Sequence, residues 1–299
     1  MLPSQVTVRD CFQILRATFK EFSKDKALRL AAALAYYAAF SLAPLIIIAV
    51  ALAAMFFGED AVRGRLDEEL SYNLGSSGAA AIQDMVAHAR RSDGGWLGSI
   101  VGVAILIFGA GGVFGQLQDA LNALWGVEPK PGRSFARALR ERFMSFGMVL
   151  GTGFLLLVSM VVSTVLASVS RYTGELVHLP TGIWEAVSGV ASFAVVTLLF
   201  AAIFKVLPDA KVQWRHVWAG AIFTATLFVI GKSILAWYLG RQATESSYGA
   251  AGALALVLLW VYYSSLILLF GAEFTQVWAN WRGHPIEPAA DAQRAANYK

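Results

Sequence analysis

Residues 250–279 read AAGALALVLLWVYYSSLILLFGAEFTQVWA. These thirty positions hold one charged side chain, Glu273, and no Lys or Arg. A helix needs about 20 mostly apolar residues to cross the roughly 30 Å hydrocarbon core of a bilayer, so this run predicts a membrane span with length to spare. Working outward, five more apolar runs lie at 30–57, 97–124, 143–168, 184–207 and 216–240. The 299-residue chain is 57% hydrophobic and 15% charged, with mean hydropathy +0.59, too apolar a balance for an ordinary soluble domain. The expected fold is an all-α integral membrane protein, a bundle of six transmembrane helices occupying residues 30–281.

Lys and Arg in the flanks set the orientation. Six precede the first span. Five (Lys130, Arg133, Arg137, Arg140, Arg142) lie in the second loop, three (Lys205, Lys211, Arg215) in the fourth, and three (Arg282, Arg294, Lys299) follow the last span. Those seventeen share one side of a six-span chain, against six on the other, while Lys232 falls inside a span. The bias predicts a bacterial inner-membrane protein with both termini in the cytoplasm. Trp96, Trp184, Trp237 and Tyr248 at the outer ends, and Trp125, Trp214, Trp218, Trp278 and Trp281 at the inner ends, fit interfacial belts. There is no secretory leader pattern, so the run starting near Leu28 is expected to remain as the first span. The lone cysteine, Cys11, excludes an intrachain disulfide.

Outside the spans, residues 1–29 hold Val8, Phe12, Leu15, Phe19 and Phe22 at helical spacing, with Arg9, Arg16, Lys20 and Lys24 between them. This predicts an amphipathic helix, either on the cytoplasmic membrane surface with its basic side on anionic lipid or packed on the protein's own inner face. The loop Gly58–Gly95 is acidic and predicts a short helical periplasmic element, and 282–299 a flexible cytoplasmic tail.

Several segments together resemble the YihY/BrkB family of bacterial inner-membrane proteins, historically labelled ribonuclease BN. They are Ala32–Tyr37 running into Phe40–Pro44, Leu121–Val127, Leu207–Ala210 with Trp214 and Trp218–Ala221, Tyr248–Ala253, Leu259–Ser264 and Gly271–Glu273. The match runs from about Lys24 to Trp281. The resemblance implies a six-helix inner-membrane bundle and links to serum resistance and to lipid or lipopolysaccharide handling.

The chemistry of a nuclease is not found. Metal-assisted hydrolysis needs clustered His and carboxylate ligands, yet His88, His178, His216 and His284 have no ligand partner at short spacing. His216 and His284 make only a weak acid–base pair on the cytoplasmic side. Gly231-Lys232-Ser233 lacks the upstream glycine of a phosphate loop, since Thr226 stands there, and it lies within an apolar run. The expectation is therefore no enzyme, no metal, no cofactor and no nucleic-acid partner.

Charged and polar residues inside apolar helices are the better pointers, because they are expensive there. Lys232 either snorkels to the outer surface or faces the bundle. Gln116, Gln118, Asp119 and Asn122 make the inner end of the second span polar, and Glu273 does so in the sixth. Lys205 and Arg142 lie at similar depth and are candidates to neutralise these acids. An interfacial ion-pair network and a polar vestibule for a charged headgroup both fit. Tyr36, Ser41 and Tyr262 are further candidates for cavity lining, and Pro44 for a kink in the first span. Gly98/Gly102, Gly111/Gly115 and Gly147/Gly151, each four apart, suit close helix packing and leave a homo-oligomer open. The leading functional expectation is a transporter or flippase-like protein for a lipid or other amphipathic envelope molecule. A non-transporting envelope scaffold or virulence factor is the alternative. Membrane lipids are the expected partners.

Overall fold

A computed structural model describes residues 7–41, 80, 83, 112–131, 181–242 and 249–296. The described chain is mostly helical. In chain order it holds α1 (Val8–Lys24), α2 (Ala27–Ser41), α3 (112–124), β1 (Val127–Pro129), α4 (Thr181–Val206), β2 (Ala210–Lys211), α5 (Trp214–Gln242), α6 (Gly249–Trp281), β3 (Glu287–Pro288) and β4 (Ala292–Arg294).

Three of these helices are long and apolar enough to cross a membrane, through the stretches Gly189–Val206, Trp214–Ile234 and Val257–Trp281. They coincide with the fourth, fifth and sixth expected spans. At 1.5 Å per residue, the 33 residues of α6 reach about 50 Å, well beyond a hydrocarbon core of roughly 30 Å. Only part of the first two expected spans is described, as α2 and α3. The third span (143–168), Pro44, nearly all of the Gly58–Gly95 loop and the glycines at 98, 102, 111, 147 and 151 lie outside the described residues.

Local chemistry fixes where the helices start and stop. At α1, Thr7 Oγ1 accepts from Asp10 N at 3.4 Å while Asp10 Oδ2 accepts from Thr7 N at 2.8 Å, a reciprocal cap on the first turn. α1 ends at Asp25–Lys26, where Lys26 takes φ 55, and α2 restarts as Arg29 N donates to Lys26 O at 2.9 Å. Pro208 cannot continue a helix and disfavours helical geometry before it, so α4 stops at Val206. α6 closes in a Schellman motif: Gly283 adopts φ 74, and its N–H donates to Asn280 O while His284 N donates to Ala279 O, both at 3.0 Å.

The core lies between α2, α3, α4, α5 and α6. Fully buried members include Ala31 on α2, Leu121 and Leu124 on α3, Phe204 on α4, Val217 and Ala225 on α5, and Leu269 and Ala272 on α6. One flank of α1 packs on α6, with Ile14 and Thr18 buried and the Phe19 and Phe22 rings 4.9 and 5.5 Å from that of Phe270. The face that bears Val8, Phe12 and Phe19 stays largely open, at 88%, 68% and 65% exposure.

The α5–α6 seam is built from two reciprocal pairs. Thr224 on α5 lies against Gly271 on α6, and Thr275 on α6 against Gly220 on α5, so closely that a Cβ on either glycine would overlap the threonine. Each threonine hydroxyl donates to a carbonyl one turn back in its own helix, Thr224 to Gly220 O at 2.7 Å and Thr275 to Gly271 O at 2.8 Å. The hydroxyls are thereby satisfied inside an apolar seam, and the glycines let the backbones approach. Further along, Gly231 accommodates the Tyr263 ring in the same way. That close approach gives the Gly231-Lys232-Ser233 triplet a packing role.

The residues after Trp281, expected as a flexible tail, fold back across the ends of the helices. β4 pairs antiparallel with β1 in the register Val127↔Arg294, and β3 with β2 in the register Lys211↔Glu287. Side chains reinforce the clamp. Arg294 donates to Trp125 O at 3.2 Å and Ile286 O at 2.6 Å, and Lys130 Nζ to Ala290 O at 2.9 Å. Lone strands of two or three residues would not persist, but here each covers backbone groups that helix ends leave unpaired.

Candidate functional site at the strand end of the bundle

The end of the bundle that carries the strands gathers most of the buried polar groups. On α3, Gln118 and Asn122 lie one turn apart and project together. Asp209, just past Pro208, receives both: Asn122 Nδ2 donates to Oδ2 at 2.9 Å and Gln118 Nε2 to Oδ1 at 3.2 Å. Asn122 Oδ1 in turn accepts from Asp209 N at 2.9 Å, and Asp209 O accepts from Ala289 N at 2.9 Å. One aspartate thus ties α3, the α4–α5 connection and the tail. Asp119, on the same helix, is exposed.

A second buried group sits on α6. Glu273 is 0% exposed, and neither of its carboxyl oxygens has a hydrogen-bond partner among the described residues. Its charged neighbours come from the α1–α2 joint: Asp25, Glu21 and Lys24. Asp25 is the closest in kind, a second carboxyl with a buried Oδ2, within hydrogen-bond reach of Glu273 when one of the two carries a proton. Burial pushes the Asp25 carboxyl above the ordinary aspartate range; Lys24 opposes this and Glu21 adds to it. An ion pair, Lys24–Glu21 at 2.6 Å, lies at the surface beside them.

The expected neutralisation of Glu273 by Lys205 does not occur. Lys205 Nζ donates to Val212 O at 2.6 Å and lies 5.5 Å from the Trp214 ring, so it closes the α4–α5 connection. Arg142 lies outside the described residues. Trp125, assigned from sequence to the interfacial belt, is fully buried instead, its indole N–H donating to Ala272 O at 3.1 Å. Next to it Gln276 Nε2 donates to Leu124 O at 3.2 Å, so α3 and α6 are joined immediately beside Glu273.

The remaining sequence candidates are dispersed. Ser41 is buried at the end of α2, close to Gly112 of α3. Tyr36 is exposed and meets Phe40 with tilted rings 4.9 Å apart. Tyr262 is half-buried and packs against the core, and Lys232 is half-buried on α5.

His216 and His284, 68 residues apart and taken from sequence as a weak pair, stand with ring centroids 5.7 Å apart. The Schellman turn after α6 carries His284 over the first turn of α5. Both line a cavity of about 550 Å³ with Lys205, Lys211, Trp214 and Glu287. Among the described residues no group of three His, Cys, Asp or Glu side chains is arranged to hold a metal.

The sequence profile described as Virulence factor BrkB matches residues 18–296. The chain belongs to the BrkB family. Curated relatives of this BrkB-family chain are named UPF0761 membrane proteins. That of Alkalilimnicola ehrlichii is 29% identical over 88% of this chain and 57% of its own length. Those of Mannheimia succiniciproducens and Haemophilus influenzae are each 25% identical, over 87% and 85% of this chain and 88% and 91% of theirs. The chain thus spans little more than half of some relatives and nearly all of others. No solved structure matches. Family, relatives and apolar helices agree that this is a membrane protein.

Proposed function

We propose that this BrkB-family protein is a transporter or flippase-like protein for a lipid or other amphipathic envelope molecule, seated in the inner membrane with both termini in the cytoplasm. Glu273 carries the reading. A carboxyl on a membrane helix costs several kcal/mol unless it is paired, coordinated or protonated. Here it is fully buried with no hydrogen-bond partner among the described residues, and it faces a second carboxyl, Asp25. Two carboxyls in one dry site hold a proton between them more readily than they hold two charges. Such a couple is of no use to a static bundle, whereas a protein that alternates between two arrangements can use it to bind and release a proton or a cationic group. The joint that carries Asp25 is a two-residue turn between α1 and α2, a natural hinge.

The test is lipid translocation in proteoliposomes containing the full chain and a fluorescent phospholipid, with and without a pH gradient. Wild type is expected to move the probe. Glu273→Gln keeps shape and hydrogen-bonding capacity but cannot exchange a proton, and it is expected to lower the rate at least tenfold while the protein still inserts and folds. Full activity in a folded Glu273→Gln protein would remove the carboxyl couple from the mechanism. Failure of the wild type in every gradient would sink transport of this lipid class. One observation favours the scaffold alternative: the α5–α6 seam, with its interlocked glycines and threonines, is built for rigidity.

A further inference from the structure

The cavity at the strand end is chemically distinct from the carboxyl couple. Its walls bring together Lys205, Lys211, His216 and His284 against a single carboxylate, Glu287. Arg215 and Arg282 add positive charge around His216. The first turn of the 29-residue helix α5 opens at the same place, through Gln213, Trp214 and His216, so the positive end of its dipole is directed there.

His216 is the decisive residue. It is 2% exposed, yet both of its ring nitrogens lack a partner among the described residues. A buried imidazole normally finds a hydrogen bond for each nitrogen, and an unsatisfied one costs about 1–3 kcal/mol. His284 shows the contrast: its Nδ1 lies 2.9 Å from Arg282 O and must donate to that carbonyl. Lys205 spends one of its three ammonium protons on Val212 O and keeps two. The lysine ammonium groups and one N–H of His216 are therefore the donors left to the cavity, against Glu287 and His284 Nε2 as acceptors. At about 550 Å³ it is large enough for a small ligand, beyond a single water.

We infer that this cavity binds a phosphate group, with His216 and Lys211 as its principal donors. The donor excess and positive charge select an oxyanion, and the two lysines disfavour a metal cation. A phospholipid headgroup and a soluble phosphate share this chemistry. The site stands whether or not the protein transports anything, because binding is measured without translocation.

The experiment uses the full chain in phosphatidylcholine nanodiscs and reads thermal stability during titration with inorganic phosphate, with chloride at matched ionic strength as control. A second arm replaces part of the lipid with phosphatidic acid. Stabilisation by phosphate alone identifies a soluble ligand, by phosphatidic acid alone a headgroup, and by both a shared site. Lys211→Gln, at an exposed strand position, is expected to weaken the effect about tenfold, the loss of one charge-assisted hydrogen bond. His216→Phe, which fills the ring's space without donors, should abolish it. No stabilisation in either arm overturns the site. So does stabilisation that persists unchanged in Lys211→Gln, a variant that folds independently of the His216 position.

Discussion

Two acids at the same end of the bundle, Asp209 and Glu273, have opposite surroundings. Asp209 is half-buried and receives side-chain donors from Gln118 and Asn122, and its own backbone joins the same network. Glu273 is more deeply buried and receives none among the described residues. Its nearest counterpart is another acid, Asp25. Donors do lie near Glu273, but the Trp125 indole N–H goes to Ala272 O and Gln276 Nε2 donates to Leu124 O. One carboxyl is a structural tie between three segments; the other is buried against a second acid with no side-chain donor of its own among the described residues.

The largest effect is expected at the helix seam that frames Glu273. Gly271→Leu drives a side chain into Thr224 and should separate α5 from α6 just where Glu273 sits. Overpacking at a seam this tight is expected to cost about 3 kcal/mol or more, read by thermal unfolding in detergent. Gly271→Ala combined with Thr224→Ala should recover part of the loss, and equal losses in the single and double variants would show that the seam is not the cause.

Asn122→Leu tests the satisfied acid. It strips two contacts from Asp209 while keeping side-chain volume, and should destabilise by about 1–2 kcal/mol, since a half-buried carboxyl is left with Gln118 as its side-chain donor. Asn122→Asp should be at least as harmful, because it sets like charges together.

The unsatisfied couple predicts the smallest effect, and it appears in the pH dependence. The Asp25 carboxyl is raised in the folded protein, so the folded state binds more protons than the unfolded state above the ordinary aspartate range. Its contribution is present at low pH and is lost as pH rises through the raised value. Asp25→Asn should flatten that decline and leave the protein slightly more stable than wild type at neutral pH. An unchanged pH profile in Asp25→Asn would assign the decline to another group.

What was legible in the sequence follows from the range of the interactions. Apolar runs are local, so α4, α5 and α6 could be read directly, as could the amphipathic α1. Close packing leaves a signature too, but in an unexpected place. The glycines that matter here are Gly220 and Gly271, each four residues before a threonine, whereas a search for glycine pairs selects Gly115, which has open space around it. Contacts across long separations leave no spacing to find. Asn122 meets Asp209 across 87 residues, and the His216–His284 pair and the Asp25–Glu273 couple are equally remote. The tail was illegible for another reason: strands as short as Glu287–Pro288 and Ala292–Arg294 have no periodicity, and their partners β2 and β1 are equally short and far away in sequence.

That tail imposes an order of events on biosynthesis. β1 is made early, yet its partner β4 appears more than half the chain later, after every membrane helix described here has left the ribosome. Until then Trp125 O and Gly126 O have no donor from Arg294 and Ala295. The strand end is therefore closed only after α6 has been made, by a latch that β4 and Ala295 supply.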